Sequence, residues 1–110
     1  MAYDEKLADE IREIVASECG VDEKRMFGGL AFLVNGNMSV AVSRQGGLLV
    51  RVPAEDLDKV LRRDHVGPMV MGGRDVRGWV RVDAAGLRTR RQLQAWVTRG
   101  VGYARGLPPK

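Results

Sequence analysis

The sequence predicts an α+β domain: helices on one face of a small antiparallel sheet, in the order α-β-β-β-α-β-β-α over residues 1–110. Three observations predict it. An amphipathic helical stripe stands at each end of the chain. An Asn35-Gly36 pair lies between two apolar, β-rich runs, and a second glycine pair, Gly72-Gly73, separates two further strand-like segments. A chain of 110 residues makes one domain. It can bury roughly two thirds of its unfolded surface, so it needs no disulfide or metal staple.

Taken in order, DEKLADEIREIVASECG sets Leu7, Ile11, Ile14 and Val15 on one helical stripe. Asp4 is placed to cap its start and Gly20 to end it in a left-handed turn. The stretch RMFGGLAFLVNGNMSVAV, Arg25 to Val42, then holds a hairpin. Asn-Gly suits a type I′ turn, which needs positive φ at both central residues. The turn predicts Leu33 facing Met38, Ala31 facing Val40, and Phe32 opposite Ser39. Arg44 to Gly47 forms another turn and Leu48 to Val52 a third strand. Pro53 opens a short helix, PAEDLDKVLRR, with Leu57, Val60 and Leu61 on its apolar side. HVGPMVMGGRDVRGWVRV reads as two strands, the second alternating Val76, Gly78, Val80 and Val82 against Arg77, Trp79 and Arg81. The last helix spans about Leu87 to Ala104, with Leu93, Trp96, Val97, Val101 and Ala104 as its stripe. The prolines of the Leu107–Lys110 tail stop it.

Hydrophobic content of 45% and charged content of 29% are ordinary globular values and argue against disorder. The lone Cys19 excludes an internal disulfide and fits a reducing cytoplasm. No apolar run approaches the ~20 residues of a membrane span, and the acidic N-terminus is unlike a signal peptide. Net charge is +4, unevenly spread: residues 1–23 hold eight acids and two bases, and no acid follows Asp83. Such asymmetry attracts polyanions, or else the two ends complement each other within the fold or between subunits.

Catalytic chemistry finds no constellation. Gly28 and Gly29 lack the Lys-Ser/Thr of a phosphate loop, and a strand follows where a helix should. They read instead as a strand start where another element comes close. His65 is the only histidine, with no nucleophile paired to it, and reads as a surface or turn residue. Cys19, at a helix end beside Glu18, reads as an inert, partly buried thiol. No carboxylate, His or Cys spacing suits a metal. The expectation is therefore no enzyme, no cofactor and no metal.

Two candidate polyanion-binding groups remain. Arg77, Trp79 and Arg81 alternate on one strand face, where Arg51 could join them, as a stacking platform flanked by cations. Arg88, Arg91 and Arg99 lie opposite the apolar stripe of the last helix. For Trp79, packing in the core or at a subunit contact is the favoured reading, with arginine stems draped over it.

Along the whole chain the sequence resembles the N-terminal domain of the TfoX/Sxy competence-regulator family. The resemblance rests on Met26-Phe27-Gly28-Gly29, Val34-Asn35-Gly36-Asn37-Met38, Leu48, Val50-Arg51-Val52, Gly72-Gly73-Arg74, Arg77-Gly78-Trp79, Trp96 and the Leu107-Pro108-Pro109-Lys110 tail. It implies a secretion-chaperone-like fold and a bacterial regulatory role exercised through protein contacts, with no catalytic residues to carry over. Full-length regulators also carry a C-terminal helical domain that these residues do not include, so a single-domain member is expected. The leading expectation is a cytoplasmic, non-enzymatic interaction module, able to pair as a homodimer. The alternative is a small basic nucleic-acid-binding protein.

Overall fold

The computed structural model describes residues 3–26 and 28–110; Phe27 of the glycine motif lies outside them. Helix α1 (Glu5–Ile14) is capped by Asp4, whose side chain accepts from the Leu7 N–H at 3.1 Å. It ends well before Gly20. Its last turn tightens through bonds such as Glu18 N–H to the Val15 carbonyl, and Gly20 (φ 73°) serves the turn into the next strand.

Six strands follow: β1 (Val21–Met26), β2 (Gly29–Val34), β3 (Asn37–Val42), β4 (Leu48–Arg51), β5 (Val66–Met71) and β6 (Arg74–Val82). They form one antiparallel sheet in the order β1-β2-β3-β4-β6-β5. The expected α+β order holds, with β1 joining as an edge strand that hydrophobic patterning does not reveal. Its residues Asp22, Glu23, Lys24 and Arg25 are all exposed. Charged edges of this kind discourage pairing with another sheet. A 3₁₀ turn (Ala54–Asp56) and the short helix α2 (Leu57–Leu61) connect β4 to β5. A second 3₁₀ turn (Ala84–Leu87) leads into α3 (Arg90–Arg105). Thr89 and Gln92 close the start of α3 as a reciprocal capping box.

All three helices pack on one face of the sheet. Leu7 and Ile11 of α1, Val60 of α2, and Leu93, Trp96 and Val97 of α3 meet Phe32, Val42, Val50 and Val82 there. The glycine pairs stand at turns, as expected. Asn35 and Gly36 have φ of 52° and 85°, and Gly72 and Gly73 have 61° and 80°. At Gly29 a β-carbon would run into the Val42 carbonyl oxygen, so this glycine is required by the close approach of β3. The tail docks on the first hairpin: Lys110 N–H donates to the Asn35 carbonyl, and Asn37 Nδ2 to the Pro108 carbonyl, both at 2.9 Å.

Strand alternation fails at two places. In β2–β3, Leu33 pairs with Met38 as expected, but Phe32 pairs with Val40 and Ala31 with Ala41. Ser39 is therefore a bulge, and its hydroxyl is buried, donating to the Phe32 carbonyl at 2.8 Å. In β5–β6, Val70 pairs with Asp75 and Pro68 with Val80, so four residues, Val76 to Trp79, stand against Met69. Gly78 takes φ 88° within that bulge.

Candidate interaction surface

The two bulges determine what the second face of the sheet presents. A bulge shifts the two-residue period by one, re-aiming the side chains beyond it. The first lets Met38 share the far face with Ala41, while Val40 and Val42 enter the helix-covered core. The second lets Val76 and Trp79 occupy that far face together. The Gly78 carbonyl accepts from Val52 N–H at 2.8 Å, which ties this bulge to the end of β4.

The result is a second apolar cluster of Ala31, Ala41, Leu49 and Met69, flanked by Met26, Leu33, Met38, Val76 and Trp79. No helical residue belongs to it. Four of the chain's five methionines, Met26, Met38, Met69 and Met71, line one concavity of about 200 Å3 together with Trp79. Met71, which lines it, is 40% exposed, and Val70, 55% exposed, lines the adjoining concavity; these are the exposed large apolar side chains among the described residues. Methionine side chains are unbranched and polarizable, so such a surface can repack around differing apolar partners. Charges are few there. Arg44 is the one charged residue lining the concavity, and Arg81 joins it in the adjoining one.

The sequence-derived candidates are divided among separate places. Trp79 is half-buried against the methionine cluster, on the face opposite the helices. Arg77 does not join it. Val76 takes the neighbouring place on that face because the bulge breaks the alternation, and Arg77 is exposed on the hairpin. Arg81 is committed to the β3–β4 turn, donating to the Gly46 carbonyl at 2.6 Å, to Ser43 Oγ at 3.1 Å and to Gln45 Oε1 at 3.3 Å. Arg51 pairs with Trp79 in register, yet its guanidinium reaches the Met38 carbonyl at 3.3 Å and lies 5.7 Å from the Tyr103 ring centre. Arg88 and Arg91 flank the start of α3, and Arg99 lies 5.7 Å from the Trp96 ring. The methionine surface itself escaped sequence reading. Its signal, four methionines in three separate strands, has no local spacing.

The uneven charge is in part consumed within the fold. Arg90 pairs with Glu13 at 3.2 Å and Arg105 with Glu18 at 2.8 Å, joining the basic last helix to the acidic first segment. Arg12 grips Glu23 of β1 through two bonds of 2.7 and 2.8 Å and also meets Asp9. Those bonds hold the Glu23 carboxyl below the usual carboxylate range and favour the charged form of Arg12. Cys19 is exposed, not partly buried as its helix-end position suggests, because α1 stops short of it. His65 is exposed in a turn with φ 66°. Among the described residues no three His, Cys, Asp or Glu side chains gather to hold a metal, and no helix is long and apolar enough to cross a membrane.

The family model for the TfoX N-terminal domain matches residues 13–104, and the chain belongs to that family. Neither a curated protein nor a solved structure matches it.

Proposed function

We propose that this TfoX N-terminal domain is a cytoplasmic, non-enzymatic regulatory module that works by seating an apolar segment of a protein partner on its open sheet face. Family membership supports an interaction role at a coarse level. One observation carries the finer reading: a methionine-rich concavity on a face that no described helix covers, with Met71 exposed in it and Val70 exposed in the adjoining one. Exposed apolar surface is costly to solubility, and where it is contiguous it marks an interaction site. The partner's anchor is apolar, since among the described residues Arg44 and Arg81 are the only charges lining the two adjoining concavities. A second copy of the chain is the first partner to test.

Methionine-methyl NMR reads this surface directly, because four of the five methionines lie on it. Dilution should shift the Met38, Met69 and Met71 methyl signals if copies pair there, and Met71→Lys should abolish the shift. A photo-crosslinking residue at position 70 should capture a defined partner in cells, where one at exposed position 94 does not. Concentration-independent methyl signals together with equal crosslinking from both positions would refute the assignment.

A further inference from the structure

A second surface lies on the helical side, around Trp96. Arg62 and Arg63 at the end of α2, His65 in the following turn, and Arg91, Gln92 and Trp96 of α3 line an open concavity of about 670 Å3. Gly86 brings these elements together. A β-carbon there would sit 2.9 Å from Val82 Cγ1 and 3.1 Å from His65 Cβ. Trp96 is buried in the core, and two guanidiniums lie against its ring: Arg63 at 4.8 Å and Arg99 at 5.7 Å from the ring centre. Stacking on an indole narrows the positions a guanidinium samples, so less freedom is lost when it meets an anion.

The charges here are unbalanced. Arg12, Arg90 and Arg105 each have a carboxylate partner, whereas among the described residues Arg62, Arg63, Arg88, Arg91 and Arg99 have none. Asp64 is the single acid lining the concavity. The first turn of α3 holds no acid, and Arg91 sits there against the positive end of the helix dipole. Folding does not favour that placement, while an incoming anion does.

The dimensions select the anion. The backbone positions of Arg91 and Arg99 are eight residues apart in α3, about 12 Å along its axis, so the cations are spread along the helix instead of gathered at one point. A chain of phosphates spans them. The Trp96 ring is already covered by guanidiniums, so it offers no platform for a base. We propose that this face binds nucleic acid through its phosphate backbone, without sequence readout, with Arg62, Arg63, Arg91 and Arg99 as the contacts. The assignment is independent of the methionine surface and moves polyanion binding away from Arg77, Trp79 and Arg81.

The test is fluorescence anisotropy with labelled 20-mers (oligo-dT, oligo-U and a mixed-sequence DNA duplex) from 50 to 200 mM salt. About three to four phosphate contacts predict a log–log salt slope near −3 on duplex, hence roughly a 60-fold loss over that range. Arg62→Gln/Arg91→Gln should cut affinity at 50 mM at least tenfold and flatten the slope by about two. Arg63→Gln/Arg91→Gln should do the same, and circular dichroism would show whether loosening Trp96 affects its fold. The hairpin control, Arg74→Gln/Arg77→Gln, should bind as the wild type does. The three probes separate DNA from RNA and single strands from duplex, and binding to any one of them supports the assignment. It is overturned by absence of binding to all three at 50 mM, by an equal loss in the hairpin control, or by full competition from millimolar inorganic pyrophosphate.

Discussion

Gly100 and Gly102 lie two residues apart in α3 and meet different surroundings. A β-carbon at Gly100 would stand 2.6 Å from the Ser39 carbonyl oxygen and 2.7 Å from Val40 Cγ1, while at Gly102 it would meet nothing within 4 Å. Neither neighbour of Gly100 can give way. Ser39 is the bulged residue, fixed by its buried bond to the Phe32 carbonyl, and Val40 is fully buried in the main core. Alanine in place of a helical glycine gains about 0.9 kcal/mol of backbone propensity. Overpacking a rigid core costs about 1–3 kcal/mol, and two contacts this short against fixed atoms belong at the upper end. Gly100→Ala is therefore expected to destabilise by about 2 kcal/mol, and Gly102→Ala to stabilise by about 0.9 kcal/mol. Unfolding entropy near 2.1 cal/mol/K per residue converts these into a fall of about 9 °C and a rise of about 4 °C in Tm. Urea titrations followed by circular dichroism, with thermal melts alongside, would measure both. A Gly100→Ala variant as stable as the wild type would refute the argument that α3 seats directly on the Ser39 bulge.

Other expectations follow from the same geometry. Arg81→Ala should lower stability by about 1–2 kcal/mol and speed hydrogen exchange at residues 43–47, since it removes three hydrogen bonds from the β3–β4 turn. Glu23 has its folded pKa lowered by Arg12, so the stability it contributes is present above the ordinary carboxylate pKa and lost as pH falls through the folded value. Both partners are substantially exposed, so the effect is small, and Glu23→Gln should flatten the pH dependence of Tm below about pH 5. Gly36→Ala, at φ 85° and with a β-carbon 2.9 Å from Lys110 Cβ, should cost at least about 1 kcal/mol and release the tail, seen as loss of protection at the Lys110 amide. Exposed Cys19 should react with a thiol reagent in the native state as quickly as in urea.

Most of the fold was legible because its signals are local. Asn35-Gly36 and Gly72-Gly73 state their turns through the positive φ that glycine permits, and the stripe Leu93, Trp96, Val97, Val101 and Ala104 is buried as its spacing predicts. The surfaces were less legible. Strict alternation put Arg77 beside Trp79 and Ala31 beside Val40, and both pairings fail at bulges, the first marked only by the lone Gly78 inside its strand and the second by no local signal. Arg62 and Arg63 close the stretch PAEDLDKVLRR, where nothing in the sequence points to a neighbour. Only packing brings them to Trp96, thirty-three residues after Arg63 in the chain.

By itself the sequence determined the α+β class, the order of elements apart from edge strand β1, the main turns and caps, and a resemblance that the family match bears out. Each of these depends on residues within a turn or two of one another. Tertiary structure decided which sheet face stays open, that four methionines gather on it, and that the acids of the first segment neutralise Arg90 and Arg105 but leave the arginines around Trp96 without partners. The physical reason is one of range. A bulge at Ser39 fits a helix sixty residues later, and the carbonyl of Gly78 is held by an amide on another strand. Such constraints act only once distant segments are packed, and by switching the parity of a strand they move its side chains from one face of the sheet to the other.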